Sequence, residues 1–297
     1  MKKISIHTDL ACERCKIDEN DNGTEFTKEE LFDCEKQTLK IKSREASEKY
    51  DMPVGTYTTL ITHPLHEMDE ADMSTCAQAL SQIISEYLQS SLKSQDMKGK
   101  CILVAGLGNR YLTSDAVGPL SIKNISATNH IAEYDGDVFA KYFHSRVITL
   151  SPGVMSQTGM ESSDIIRGIC EKVHPDAVIV IDALAARSCE RLATTIQLCD
   201  TGITPGSGIH NARCALNEQT LGCPTIAIGV PTVVDTAALV LDALEKAQKS
   251  DISDDIFPSL NAGSFFVSPK ECDALAENAA FVISSSINSV LNKNLFN

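Results

Sequence analysis

The 297-residue sequence has no tryptophan, and aromatic residues make up only 5% of it. Hydrophobic residues still account for 43%, which is enough for a substantial core that must be mostly aliphatic. No apolar run approaches the ~20 residues that a membrane-spanning helix needs. The first residues, MKKISIHTDLACER, lack the apolar stretch of a secretory signal peptide. We therefore expect a cytoplasmic protein that does not enter a membrane.

Positive charge is also scarce, with 26 Lys and Arg against 40 Asp and Glu and a net charge of -14. Proteins that bind the phosphate backbone of nucleic acids need a basic surface, so this balance argues against direct nucleic-acid binding. The same charge is compatible with a basic protein partner, because opposite fields steer encounter.

The eleven cysteines are scattered, and only Cys12 and Cys15 form a CxxC pair. Without a second pair at zinc-finger spacing, and without a secretion signal, we expect free thiols in a reducing compartment. His63, His66 and His210 lie in loops, and no HExxH pair is present. The sequence therefore predicts neither a metal site nor a cofactor.

Short apolar runs recur along the chain with helical patterns between most of them, which is typical of buried strands in an α/β protein. The runs are residues 102–105, 146–150, 177–181, 194–198 and 224–228. We expect a mostly parallel central sheet with helices on both faces. Apolar and polar side chains alternate in residues 38–42 and 54–61, which predicts strands of an N-terminal β elaboration. We expect residues 1–35, which are polar, to form an irregular arm before it.

Two aspartates stand out in this pattern. Asp115 follows the run 102–105 after a polar loop, and Asp182 follows the run 177–181 directly. Ligands of open α/β sheets bind at the carboxyl ends of the strands, so we expect these two carboxylates to converge. A close pair shares a proton and can activate water while donating to a leaving group. The alternatives are a turn residue at Asp115 and a helix cap at Asp182.

The loops after the strands allow further interpretations. Residues 106–108 read GLG, but the third glycine of a dinucleotide loop is replaced by Tyr111 and no helix opens there, so nucleotide binding is not favoured. Residues 151–159 and 200–208 are rich in Gly, Ser and Thr. Such loops present backbone N–H groups to a peptide or an oxyanion, although ordinary turns have the same composition.

A series of longer blocks occurs in a fixed order along nearly the whole chain: residues 8–11, 53–57, 104–109, 113–119, 152–155, 157–159, 182–187, 200–203, 205–208 and 228–235. In these blocks and their order the chain resembles the germination protease (spore protease) family. The resemblance implies an endopeptidase made as a zymogen, with a fold similar to hydrogenase maturation proteases. Its substrates would be the small acid-soluble proteins of the spore, which it would begin to degrade at germination in the spore core. It also implies a homotetramer.

The resemblance also assigns residues. Asp115 and Asp182 match the family's proposed catalytic pair, and the short propeptide would be residues 1–7, cut between His7 and Thr8. His7 stands where the family pattern has Arg. The remaining 8–297 would form a single α/β peptidase domain. From the matching blocks we take as substrate-binding or supporting residues Asn109, Gly153, Arg187, Asp200 and Gly206.

Residues 24–26, Thr-Glu-Phe, resemble the site that the family cuts in its substrates, which suggests self-cleavage between Glu25 and Phe26 if the arm is accessible. Two other interpretations of the chain stay open. The same aspartates could bind the ion of a metal-dependent peptidase. Alternatively, the chain could be a non-enzymatic module that binds basic spore proteins.

Overall fold

The computed structural model describes residues 8–14, 22–206, 213–246 and 265–292. Its strands are β1 (Thr24–Leu31), β2 (Cys34–Ile41), β3 (Gly55–Ile61), β4 (Cys101–Gly106), β5 (Arg146–Leu150), β6 (Ala177–Ala186), β7 (Thr195–Cys199), β8 (Thr225–Asp235) and β9 (Phe266–Val267).

The helices alternate with these strands over most of the chain. They are α1 (Ala11–Arg14), α2 (Arg44–Tyr50), α3 (Glu70–Leu92), α4 (Val117–Asn124), α5 (Asn129–Tyr134), α6 (Gly136–Tyr142), α7 (Met155–Thr158), α8 (Ser162–Val173), α9 (Glu218–Leu221), α10 (Thr236–Lys246) and α11 (Cys272–Leu291). Short 3-10 turns occur at Leu65–Glu67, Thr113–Asp115 and Cys189–Arg191.

All the strands join one sheet in the order β1-β2-β3-β7-β8-β6-β4-β5, with β9 beside the end of β8. Four of the five buried apolar runs form strands β8, β6, β4 and β5, which run parallel as predicted. The fifth run, residues 194–198, forms β7, which is antiparallel to both its neighbours. The remaining pairs, from β1 across to the β7–β8 contact, are antiparallel. The α/β class and the N-terminal β elaboration are thus confirmed, and the elaboration widens the same sheet.

Helices cover both faces of the sheet. Helices α3 and α11 bury Leu80, Ile84 and Ile283 against one face, and α8 buries Ile166 against the other. Burying each of these side chains contributes about 1.5–3 kcal/mol, so the two helical layers fix the sheet firmly. No helix within the described ranges is long and apolar enough to cross a bilayer. The ten cysteines in these ranges are free thiols.

The expectation of an irregular arm over residues 1–35 is wrong for its described part. Residues from Thr24 onward form β1, which pairs with β2 along its whole length from Thr24 to Leu31. Residues 8–14 are packed against the end of β6, and Leu10 is fully buried. The predicted propeptide, residues 1–7, lies outside the described residues.

Candidate active site

Asp182 lies where the ladder between β4 and β6 ends. The last pair of that ladder is Gly106 with Ile181, and Asp182 is the next residue of β6. Its own neighbour is Gly229 of β8, because β6 continues beside β8 as far as Ala186. Residues 183–186 are therefore strand, and the alternative of a helix cap at Asp182 is excluded. The residue is 6% exposed and lines the space that opens where β4 stops.

Asp115 reaches the same space from a loop. It ends the 3-10 turn Thr113–Asp115, just before α4. Its Oδ2 accepts a hydrogen bond from the backbone N–H of Asn109 at 2.9 Å. The loop folds tightly over Gly108, whose φ of 107° is strained for any residue with a side chain. A Cβ at Gly108 would also collide with the backbone oxygen and carboxyl of Asp115.

Both carboxyl groups line one cavity of about 320 Å³. Its other polar or charged lining residues include Asp9, Ser114, Glu161, Ser162, Ser163, Arg213 and Thr232. The Thr232 hydroxyl donates to the backbone oxygen of Ser114 at 2.6 Å, which ties the Asp115 loop to β8. The convergence of Asp115 and Asp182 that the strand pattern predicted is therefore present.

The surroundings of the two carboxyl groups differ. Burial raises the pKa of Asp182 well above its usual range, and the charges of Asp115 and Asp9 raise it further. Burial also raises the pKa of Asp115, but the N–H of Asn109 and the charge of Arg213 oppose that rise. In a pair that shares a cavity, these surroundings favour the proton on Asp182 and the charge on Asp115.

A third carboxylate, Asp9, was missed from the sequence. Its backbone N–H donates to the oxygen of Ala185 and its Oδ2 accepts from the N–H of Ala185, both at 2.9 Å. The hydroxyl of Thr8 donates to Glu13, whose carboxylate also accepts the backbone N–H groups of Arg187 and Ser188 at 2.7 and 2.8 Å. Residues 8–14 are thereby fastened to the strand that carries Asp182. The sequence did contain a signal for Asp9, because it lies in the block 8–11 that matches the family, but the resemblance assigned no role to that residue.

The supporting residues proposed from the sequence occupy different places. Asn109 contacts Asp115 through its backbone, and its side chain accepts a hydrogen bond from Gln157 at 2.9 Å. Gly206 lines the cavity. The backbone oxygen of Gly153 accepts a hydrogen bond from the hydroxyl of Ser162 at 2.9 Å, so Gly153 supports the cavity wall.

The remaining two supporting residues, Arg187 and Asp200, are not among the lining residues. The backbone of Arg187 is bound to Glu13, and Asp200 accepts the N–H of Thr56 at 2.7 Å on another surface. Of the predicted processing point, Thr8 is buried and His7 is outside the described residues.

Arg213 and Ser163 also line the cavity without having been predicted. Ser163 lies in the first turn of α8, and Arg213 follows β7 along the chain. Neither position belongs to a local motif, so only the folded arrangement identifies them. Within the described ranges, no cluster of three or more His, Cys, Asp or Glu side chains has an arrangement that could hold a metal ion.

Comparison with known proteins finds the same family across most of the chain. A family model described as germination protease matches residues 6–250. A germination protease from Clostridium acetobutylicum is 35% identical over 97% of this chain and 95% of its own length. One from Caldanaerobacter subterraneus is 36% identical over 98% and 96%, and one from Bacillus pumilus is 38% identical over 84% and 69%.

Among solved structures, a nickel–iron hydrogenase maturation protease from Thermococcus kodakarensis matches 69% of this chain and 99% of its own. The sequence identity is 15% and the TM-score is 0.37. At this TM-score the similarity supports no conclusion about the function of this chain.

Proposed function

The chain belongs to the germination protease family, and we propose that it is an endopeptidase that starts the degradation of small acid-soluble spore proteins during germination. The observation that carries the proposal is the placement of Asp115 and Asp182 in one cavity, with the pKa of each raised by burial. Perturbed carboxyl groups in a cleft are typical of acid–base catalysts.

In the proposed mechanism, Asp115 is the carboxylate and Asp182 carries the proton. Asp115 takes a proton from a water molecule as its oxygen bonds to the carbonyl carbon of the peptide. Asp182 donates its proton to the carbonyl oxygen as the tetrahedral intermediate forms. When that intermediate collapses, Asp115 passes the proton it took from water to the amine nitrogen, and Asp182 takes a proton back from a hydroxyl of the intermediate, which restores the singly protonated pair. The C–N bond breaks, and the two protons of water end on the new carboxyl and amino products. Because the pair titrates as a unit, the two roles belong to the pair in its singly protonated state.

The surface around the pair has room for an extended peptide. A second cavity, of about 410 Å³, shares Asp9 and Leu184 with the first. A polypeptide crossing both would place a bond in the middle of its chain beside Asp182, as an endopeptidase requires. The net charge of -14 favours encounter with basic proteins such as those that coat DNA.

A zymogen is part of the same proposal, with residues 1–7 as the propeptide and 8–297 as the peptidase domain. The support is the attachment of residues 8–14 to β6, where Asp9 bonds to Ala185, three residues beyond Asp182. The charge of Asp9 contributes to the raised pKa of Asp182. A cut just before Thr8 therefore falls on a segment that is coupled to the catalytic carboxyl group. The homotetramer implied by the resemblance is also proposed, and light scattering of the purified chain tests it.

The proposal is tested by digesting one small acid-soluble spore protein with the full-length chain and with the form that begins at Thr8, each with and without EDTA. Cutting by the shorter form alone, unaffected by EDTA, is the expected result. Cutting that EDTA abolishes and one metal restores would favour the metal-dependent alternative with the same aspartates as ligands. Binding without cutting by either form would favour the non-enzymatic module.

A further inference from the structure

Strand β8 carries one extra residue where it runs beside the end of β6. Leu184 pairs with Pro231, but the next residue, Ala185, pairs with Val233. Thr232 therefore has no residue opposite it, which makes a β-bulge at this position. Bulges bend a strand and redirect a side chain, and they are frequent next to active sites. This one lies at the catalytic cavity, since Leu184 and Thr232 both line it.

The hydroxyl of Thr232 is directed at the turn that carries Asp115. Thr232 is fully buried, and its Oγ1 donates to the backbone oxygen of Ser114 at 2.6 Å. Ser114 is the middle residue of the 3-10 turn and directly precedes Asp115. Bonds within the turn, such as that from the N–H of Asp115 to the oxygen of Leu112 at 2.8 Å, fix its shape. The bond from Thr232 fixes its position on the sheet.

Thr232 is itself held from the opposite side. Its backbone oxygen accepts a hydrogen bond from the hydroxyl of Ser268 at 2.9 Å. That hydroxyl is also 2.9 Å from Sγ of Cys272, the first residue of α11. Strand β9, which directly precedes Ser268, pairs with the end of β8. The bulge is therefore fixed on both sides, and its hydroxyl reaches Ser114 from a firm support.

The position of the turn matters because it sets the place of one member of the carboxyl pair. Asp182 belongs to a strand that is paired with β8, whereas Asp115 belongs to a loop. The charge of Asp115 raises the pKa of Asp182, and such an effect weakens as two charges move apart. Reactive groups misplaced by about 1 Å can lose on the order of 10²-fold in rate. A bond that holds this turn can therefore control the reaction without touching the substrate.

We propose that Thr232 is a positioning residue, which holds Asp115 at the working separation from Asp182 through the backbone of Ser114. This inference rests on the proposed function and adds to it a residue that acts through Asp115. The β-bulge is the structural reason why the hydroxyl can do so, because it places an additional side chain at the point where β8 passes the turn.

The test replaces Thr232 by Val, which keeps the branched shape and removes the hydrogen-bond donor. In the form of the chain that cuts, kcat should fall roughly tenfold to a hundredfold with little change in KM. The pKa of Asp182, measured by NMR on full-length chain with ¹³C-labelled aspartate carboxyl groups, should fall because the charge of Asp115 moves away. Asp9, the other charge that raises this pKa, is not touched by the substitution. Thr232→Ser retains the hydroxyl and should recover most of both quantities.

The matched control is Thr225→Val on the same strand. Thr225 is also buried and its hydroxyl donates to a backbone oxygen, that of Cys223 at 3.1 Å, but it does not line the cavity. Thr225→Val should lower the melting temperature while leaving kcat and the pKa of Asp182 unchanged. Should Thr232→Val fail to fold, Thr232→Ala compared with Thr232→Ser isolates the hydroxyl in the same way.

An unchanged pKa of Asp182 in folded Thr232→Val would overturn the inference, as would equal losses of kcat in Thr232→Val and Thr232→Ser. The NMR measurement also separates this inference from the proposed function, because it needs no cleavage. If the unaltered chain cuts nothing, the endopeptidase is refuted, yet a lower pKa of Asp182 in Thr232→Val, absent from Thr232→Ser and Thr225→Val, still supports the positioning of the pair by Thr232.

Discussion

The carboxylate of Asp115 raises the pKa of Asp182 across a shared cavity, at the level of the sheet where β4 ends and β6 continues. Asp115 itself is restrained by the N–H of Asn109 and influenced by the charge of Arg213. This asymmetry lets one carboxyl group keep a proton while the other stays charged.

The first prediction concerns the pH dependence of cleavage. The proposed mechanism needs Asp115 ionised and Asp182 protonated, and the pKa of each is raised. Activity should therefore appear only above the ordinary range of an aspartate pKa and decline at higher pH as Asp182 loses its proton. A profile of kcat/KM against pH measures both limits. A profile that is flat, or that peaks in the strongly acidic range, would contradict the assignment.

The second prediction concerns Arg213, whose charge lowers the pKa of Asp115. In Arg213→Gln that pKa should rise, so the lower limit of the activity profile should move to higher pH. The same profile measured on Arg167→Gln serves as the control, since Arg167 pairs with Asp164 on the outer side of α8. An unshifted lower limit in Arg213→Gln would show that the guanidinium does not act on the pair.

The third prediction concerns stability. The pKa of Asp182 is raised by folding, so the folded chain binds a proton that the unfolded chain releases. Its contribution to stability is complete below the unfolded pKa and is lost as pH rises through the folded pKa. Asp182→Asn should therefore melt at a higher temperature than the unaltered chain at neutral pH, with the difference shrinking in acid. Each unit of pKa difference corresponds to about 1.4 kcal/mol. Thermal melting at several pH values measures the effect, and equal melting temperatures at neutral pH would contradict it.

The fourth prediction concerns Gly108, which holds the Asp115 loop with a φ of 107°. Gly108→Ala would force a Cβ against Asp115, so cleavage should fall by a larger factor than the strain in the backbone alone would produce. The control is Gly99→Ala, where φ is 72° but no atom lies within 4 Å of the added Cβ. Gly99→Ala should lose on the order of 1 kcal/mol of stability and keep its activity. Similar activity in the two variants would show that the close approach at Gly108 is unimportant.

The fifth prediction concerns the attachment of the N-terminal segment to β6. Glu13 accepts the N–H groups of Arg187 and Ser188, and Glu13→Gln replaces the charged acceptor by a neutral amide. We expect a loss of about 1–3 kcal/mol in the free energy of unfolding, together with weaker cleavage, because Asp9 is held by the same segment. Glu48→Gln, which removes an exposed i,i+4 pair with Arg44, should have a much smaller effect. Urea denaturation of both variants makes the comparison.

The parallel half of the sheet was predictable because buried strands are recognisable as apolar runs. β4 and the first half of β6 were read in this way, and the position of Asp182 followed. The second half of β6, residues 183–186, was not recognised, because its small apolar residues also suit a helix. These residues are strand because they pair with β8, and a pairing between distant parts of the chain leaves no signal in the local sequence.

In the N-terminal part of the sheet, a strand was missed because its sequence is too polar rather than because it also suits a helix. β1 is an edge strand whose sequence, TEFTKEEL, is largely charged, so it has no apolar periodicity to detect. Its ion pairs, such as Lys42 with Glu25, depend on the register with β2. The hypothesis of self-cleavage at Glu25–Phe26 assumed an accessible arm, and that assumption is wrong because the bond lies within a paired strand. Arg213 and Ser163 were missed because nothing local marks a residue that only the fold brings to a cavity.

We propose that Asp115 and Asp182 act together on the peptide bond. The most direct measurement is the rate of cleavage of a small acid-soluble spore protein by Asp115→Asn and Asp182→Asn, with Asp273→Asn as a control on the exposed surface of α11. Circular dichroism first establishes that all three are folded. We expect each cavity variant to lose about 10²- to 10⁴-fold in kcat, whereas Asp273→Asn keeps its activity. Near-normal cleavage by a folded Asp115→Asn or Asp182→Asn variant would contradict the account.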